Sequence, residues 1–387
     1  MNEFKHRGDN NRPPKVLFLV TEDWYFCLHH ITIAKAVRDS GCEVTVVTNV
    51  QQHGKVILDE GFRLIALDFH RGSKNPWYDL LTLIRLIGIY RRERPDVVHH
   101  LALKPVVHGS LAAQLTGVPS IVNAIMGLGH LFSSPSFAVR SLRGLVKLFL
   151  KLLLKRSNSW LILQQHDDFK TLSQGNTLAP DRTVIIRGTG VNLKRFVPRP
   201  EPSGGDPVVS MVSRLIWDKG VGEFVEAARM LKQDGSKARL VLVGPCDPGN
   251  PKSVSEQQLR EWEQNGIVEW WGYQEDVSQV YAQSHIAVLP SYYREGIPTT
   301  LLEALACARP IITTDMPGCR EIVRHGENGL LVPPRDSQAL SRAISTVLSD
   351  PSLREKMGQR SRSIAEAEFS EEQVIHETLS LYRNLLG

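Results

Sequence analysis

The stretch His285–Asp315, HIAVLPSYYREGIPTTLLEALACARPIITTD, decides the fold. Two short apolar runs, Ile286–Leu289 and Pro310–Thr313, bracket a helical run, Thr299–Cys307. Neither apolar run alternates with polar residues, as a half-exposed strand would. A strand that is apolar on both sides must be covered on both sides, the condition met in a parallel sheet flanked by helices. Pro298 suits the first turn of the helix, where an N–H has no intrahelical partner anyway. The segment predicts a strand–helix–strand unit.

The pattern continues in both directions. Upstream, apolar runs at Lys15–Val20, Val44–Thr48, Leu64–Leu67, Asp96–His99, Ser120–Ile125, Trp160–Leu163 and Val184–Arg187 predict strands separated by helices. Val197–Asp206, VPRPEPSGGD, reads as a linker from its three prolines and two glycines. Beyond it Val208–Val212, Leu240–Val243, Val268–Trp271 and Leu330–Val332 complete a second series with the opening pair. The 387 residues exceed what one core usually supports. The expectation is two doubly wound α/β domains, residues 1–200 and 201–370, with a C-terminal helix over 371–387 that packs back on the first.

Composition narrows the functional classes. With 42% hydrophobic and 22% charged residues the chain reads as an ordinary globular protein. A net charge of +5 gives no reason to expect nucleic acid. Five cysteines without CxxC spacing fit a reducing compartment, and no histidine pair with a third carboxylate suggests a metal. No apolar run is long enough to span a bilayer, and the first fourteen residues lack the apolar stretch of a signal peptide. The expected location is the cytoplasm.

Chemistry concentrates in the second half. Glu295 and Glu303, with seven residues between them, flank a Gly-Ile-Pro turn. Glu303 lies about one turn inside the helix, whose exposed first amides favour anionic or polar oxygens. The two acids can grip two parts of one ligand, Glu303 accepting from the vicinal hydroxyls of a ribose. On spacing alone Thr300–Glu303 reads equally well as a capping box, with Glu303 serving only its own helix. Upstream, SRLIWDKG places Arg214 and Lys219 in a strand-to-helix loop, a pair suited to a diphosphate or simply to solvent. LVGPCDPGNP is a Gly/Pro loop that either passes a base or only turns, and no GxGxxG dinucleotide fingerprint occurs there.

SRLIWDKG, the long segment from WGYQEDV to GCREIV, and GENGLLVPP occur in the order seen in GT-B, family-4-type retaining glycosyltransferases, and most of Val208–Pro334 resembles that family. The resemblance implies two Rossmann-like domains facing a cleft, a nucleotide-sugar donor as substrate, and no metal or other cofactor. It implies that Arg214 and Lys219 hold the donor diphosphate and Glu303 the ribose. Glu295, with the backbone of Gly296, Ile297, Pro298 and Thr299, is implied to face the transferred sugar.

The first half is similar to family members that extend polyprenyl-diphosphate-linked sugars. YFCLHHITIAKA resembles FFLSHRLPLA, with His29 on the family's His and His30 in place of its Arg. LDFHRGSKNP supplies Arg71 and Asn75, HHLALKPVVHGS supplies Lys104, and IVNAIMGLGHLF supplies Gly127 and Gly129, all implied acceptor contacts. Met126 stands where many relatives carry a His; a thioether takes no proton, so that role is absent or passes to a group such as His130. Phe137–Arg156, FAVRSLRGLVKLFLKLLLKR, repeats Arg or Lys every three or four residues beside Leu, Val and Phe, and Leu80–Arg94 adds a second helix with a basic end. Such helices suit the interface of an anionic membrane, or equally a packed helix with its basic edge in water.

The expected activity is a retaining transfer of an N-acetylhexosamine from a UDP-sugar to an undecaprenyl-diphosphate-linked saccharide, on the inner face of the cell membrane. The alternatives are a nucleotide-sugar epimerase or hydrolase of the same fold, or a non-catalytic nucleotide-sugar-binding protein.

Overall fold

A computed structural model describes residues 12–69, 76–127, 144, 148–174, 176–294 and 296–386, and in it the chain divides into two units. Among the described residues all thirteen apolar runs form strands, with ends within two residues of those expected.

The first unit, Met1–Thr189 with Gln373–Gly387, is built on a parallel sheet. Its strands are β1 (Lys15–Glu22), β2 (Glu43–Asn49), β3 (Arg63–Ala66), β4 (Val97–Leu101), β5 (Ser120–Ile125), β6 (Ser159–Leu163) and β7 (Thr183–Ile185), in the order β3-β2-β1-β4-β5-β6-β7. The unbroken apolar character of β1 has a direct cause. Val16, Phe18 and Val20 enter one core, while Leu17 and Leu19 enter another beneath helices Pro76–Glu93 and Leu103–Thr116. Helix Glu371–Leu386 closes the first of these cores with Val374, Leu381 and Tyr382. Tyr382 is fully buried, and its hydroxyl lies 2.6 Å from His99 Nδ1.

A polar cluster sits inside this unit. His100 Nδ1 lies 2.8 Å from Asn123 Oδ1, and its Nε2 lies 3.0 Å from the Tyr90 hydroxyl. Because the amide oxygen only accepts, Nδ1 carries the proton and Nε2 accepts from Tyr90. Burial keeps both imidazoles neutral, lowering the pKa of His99 to about 3 and that of His100 to about 4. In the unfolded chain both take a proton near the ordinary value of about 6.5. The unfolded state therefore binds more protons below that pH, and the stabilisation is lost as pH falls from there toward the folded values. Acidification from pH 7 to about 5.5 should remove roughly 2–3 kcal/mol from this unit. Thermal unfolding across that range checks it: the wild type loses stability steeply, and His99→Gln less so. Equal slopes for the two would rule the buried imidazoles out as the cause.

The second unit, Gly190–Glu372, carries β8 (Val208–Val212), β9 (Arg239–Val243), β10 (Glu269–Trp270), β11 (Ile286–Leu289), β12 (Ile311–Thr314) and β13 (Gly329–Val332). All pairs are parallel, in the order β10-β9-β8-β11-β12-β13. Side-chain oxygens cap its helices as the sequence pattern allows: Asp336 accepts from Ala339 N at 2.8 Å and Asp350 from Leu353 N at 2.9 Å.

One reading of the sequence is corrected here. Val197–Asp206 has the composition of a linker but lies within the second unit and is fastened to it. Buried Arg354 forks onto Glu201 at 3.0 and 3.1 Å, Arg309 donates to the Arg199 carbonyl at 2.9 Å, and Arg362 donates to the Phe196 carbonyl at 2.9 Å. The chain leaves the first unit earlier, between Thr189 and Gly190. Local composition hides this because the three anchoring arginines lie more than a hundred residues downstream.

Candidate active site

In an open parallel sheet the strand order reverses at one point, and the loops beyond the carboxyl ends of the two strands there diverge to leave a crevice. In the second unit that point lies between β8 and β11. The loop after β8 carries Arg214 and Lys219, and the loop after β11 carries Gly296, Ile297, Pro298 and Thr299, followed by the helix Thr299–Ala306 with Glu303. Two motifs about eighty residues apart thus meet at adjacent strand ends. Glu295 lies outside the described residues.

Close backbone contacts fix the loops. The carbonyl of Asp218 accepts from Tyr292 N at 3.1 Å, tying the first loop to the second. Gly220, with φ +84°, opens helix Val221–Gln233; a Cβ there would lie 2.2 Å from the Pro290 carbonyl oxygen. Gly244, with φ +136°, lets the loop after β9 come so near that a Cβ would lie 1.9 Å from the Ser213 carbonyl oxygen. Both positions need glycine for conformation and for space.

Two ion pairs lie at this corner. Arg214 Nη1 lies 2.9 Å from Asp247 Oδ2, and Lys252 Nζ lies 2.5 Å from Asp218 Oδ2. Both partners of the Arg214–Asp247 pair are substantially exposed, so it is worth only about 0–1 kcal/mol. Arg214 can therefore exchange Asp247 for another anion at little cost. Asp247 was not foreseen from the sequence; the signal for it was the CDPG turn ending the run after β9.

The helix carrying Glu303 begins after Pro298, which offers its first amides no side-chain cap. Glu303 is its fifth residue, and Pro298 is the residue preceding the helix. This excludes the capping-box reading. The carboxyl keeps some exposure but is closely ringed by protein. Burial pushes its pKa up to about 8, with Arg195 acting in the opposite direction.

The first unit has its own reversal point, between β1 and β4. His29 ends the helix that follows β1, and Lys104 lies in the first turn after β4. His29 is half-buried, its ring 4.6 Å from that of Tyr25 and tilted by 54°. His30, in the place of the family's Arg, is buried with neither ring nitrogen bonded. Lys104 Nζ lies 2.9 Å from Asp79 Oδ1 and 5.6 Å above the Phe69 ring, and His108 Nε2 lies 3.5 Å from the same carboxylate. Asp79, Phe69 and His108 were not foreseen, because nothing in their local sequence separates them from ordinary helix and loop residues. Gly127 follows β5 with φ +110°, while Arg71, Asn75, Gly129 and His130 lie outside the described residues. At Met126 the sulfur receives the side-chain amide of Gln164 at 2.8 Å. Among the described residues no group of three or more His, Cys, Asp or Glu side chains is placed to hold a metal ion.

The family described as Glycosyl transferases group 1 matches residues 194–364, and Glycosyl transferase 4-like matches residues 15–165. The chain is 29% identical over 366 residues, 92% of its length and 94% of the relative's, to the N,N'-diacetylbacillosaminyl-diphospho-undecaprenol alpha-1,3-N-acetylgalactosaminyltransferase of Campylobacter jejuni. It is 26% identical over 289 residues, 71% of this chain and 72% of the other, to the UDP-Gal:alpha-D-GlcNAc-diphosphoundecaprenol alpha-1,3-galactosyltransferase of Escherichia coli. The crystal structure of Anabaena HepE in complex with UDP superposes with a TM-score of 0.78 over 96% of this chain and all of that one, at 20% identity.

Proposed function

Because the chain is a glycosyltransferase of the group 1, GT4-type family with the GT-B fold, we propose that it is a retaining enzyme that moves an N-acetylhexosamine from a UDP-sugar to an undecaprenyl-diphosphate-linked saccharide. The observation that carries the donor half is the meeting of Arg214 and Lys219 with the uncapped helix of Glu303 at one strand reversal. As the bond from the sugar to the diphosphate breaks, negative charge grows on the leaving phosphate, and fixed cations there lower the barrier. Glu303 takes the ribose hydroxyls, while Glu295 and the Gly296–Thr299 backbone take the sugar. With two side-chain cations at the diphosphate, turnover should persist in EDTA.

The acceptor half rests on likeness to the two relatives that use diphospho-undecaprenol acceptors and on Lys104 beside Phe69 and His108 at the other reversal point. Lys104 and His29 with Gly127, and Arg71, Asn75 and Gly129 outside the described residues, form the proposed acceptor contacts. A lipid-linked acceptor places the enzyme peripherally on the inner membrane face. The segment Phe137–Arg156 is proposed to touch that face, and of it only residue 144 and residues 148–156 are described.

Mass spectrometry of lipid-linked products, from a panel of UDP- and GDP-sugars, tests the proposal. The expected result is one added N-acetylhexosamine from a UDP donor. Rapid conversion of donor alone would favour an epimerase or hydrolase, and donor binding without transfer to any lipid acceptor would favour a non-catalytic binder.

A further inference from the structure

Helix Pro76–Glu93 buries Leu86, Ile89 and Tyr90 against the first unit's sheet. Its other side is also apolar. Trp77 is 71% exposed, Tyr78 51%, Leu80 46%, Leu81 50% and Ile84 55%. Trp77, Leu81 and Ile84 follow helical spacing along one outward stripe. A packed surface helix needs one apolar face, and this one has two.

The surface continues along the same helical layer. Helix Leu103–Thr116 shares one core with Leu86 and Tyr90 and another with Leu150 and Leu154. Beyond it Leu148, Phe149 and Leu152 face outward. The charge pattern of this part of the chain is one-sided. From Pro76 to His166 there are eleven Lys and Arg but only three carboxylates, Asp79, Glu93 and Asp96. All three are engaged: Asp79 pairs with Lys104 at 2.9 Å, Glu93 with Arg63 at 3.1 Å and Arg92 at 2.9 Å, and buried Asp96 receives Arg12 at 2.9 Å.

We infer that this face seats on an anionic lipid bilayer, with helix Pro76–Glu93 as the element that enters the interface. The Trp77 and Tyr78 rings lie at head-group depth, where an aromatic body and a polar edge are both accommodated. Leu81 and Ile84 reach the acyl boundary, and exposed Arg85 and Arg91 meet lipid phosphates. Among the described residues no helix is long and apolar enough to cross a membrane, so the helix lies in the plane. A second copy of the chain is the poorer occupant, because a two-fold contact sets the same surface against itself and here brings cations against cations. The inference deepens the lipid-linked acceptor reading by naming the surface that meets the lipid.

Sedimentation with phosphatidylcholine vesicles, with and without phosphatidylglycerol, tests it. The full-length protein should partition at least about tenfold more strongly onto the anionic vesicles, and rising salt should release it. The double variant Leu81→Glu/Ile84→Glu should lose at least about tenfold in partitioning while keeping UDP binding in the second unit. Should that variant misfold, Arg85→Gln/Arg91→Gln removes the salt-dependent part and serves instead. Wild-type partitioning by either well-folded variant, or absence of vesicle binding at low salt, overturns the inference. So does a concentration-dependent dimer that the apolar variant abolishes. If vesicles are bound and no lipid-linked saccharide is extended, the acceptor reading fails and this inference stands.

Discussion

Lys219→Ala is expected to lower kcat about 10²- to 10³-fold, the usual effect of removing one fixed electrostatic partner of developing charge. The residue closes a short turn, Trp217–Lys219, just before Gly220 and the next helix. That turn is also tied by Tyr292 N on the Asp218 carbonyl and by Lys252 on the Asp218 carboxylate, so the variant should still fold. The loss should appear mainly in kcat. The diphosphate already carries charge in the bound donor, but most of the growth comes as the glycosidic bond breaks. Lys219→Arg should recover part of the activity, keeping charge but changing its placement. Steady-state kinetics with saturating donor decides it, and normal turnover in Lys219→Ala would remove the residue from the mechanism.

Glu303→Gln is expected to weaken donor binding about 10- to 100-fold, as a hydrogen bond to a charged acceptor is worth about 1.5–3 kcal/mol. The same change should stabilise the ligand-free protein. The folded pKa, about 8, stands above the ordinary carboxyl value. The folded state then holds a proton that the unfolded state has lost, so the wild type loses stability as pH rises from about 4.5 to 8. At pH 8 the glutamine variant should be more stable by on the order of 2–3 kcal/mol, and near pH 4.5 the two should match. The wild type should also bind UDP more tightly as pH rises toward 8, because the ribose hydroxyls donate to the ionised carboxyl; the variant should not. Calorimetric binding and thermal melts across pH read both effects. A pH-independent wild type would mean that Glu303 does not meet the ribose.

Most of the fold was legible because its strands are covered on both sides, leaving unbroken apolar runs such as Val208–Val212 with every residue buried. The meeting of the Arg214 and Glu303 segments was legible for a related reason: reversal of strand order brings the loops after β8 and β11 to adjacent strand ends. What the sequence hid was settled by distant partners. Val197–Asp206 looks like a linker until Arg309 is seen on its Arg199 carbonyl and Arg354 on its Glu201 carboxylate. Asp247 looks like a turn residue until Arg214 is seen on it. Thr300–Glu303 has the spacing of a capping box, but the helix starts two residues too early for Thr300 to cap it. For Leu80–Arg94 the sequence left a membrane interface and a packed helix both open, since an apolar periodicity does not say which side meets the sheet.

The most direct measurement is a crystal structure of the protein with UDP bound. The diphosphate should lie within hydrogen-bond reach of Arg214 and Lys219, with Asp247 released from Arg214 and both ribose hydroxyls on the Glu303 carboxylate. UDP seated elsewhere, or at this corner with Glu303 turned from the ribose, would contradict the account.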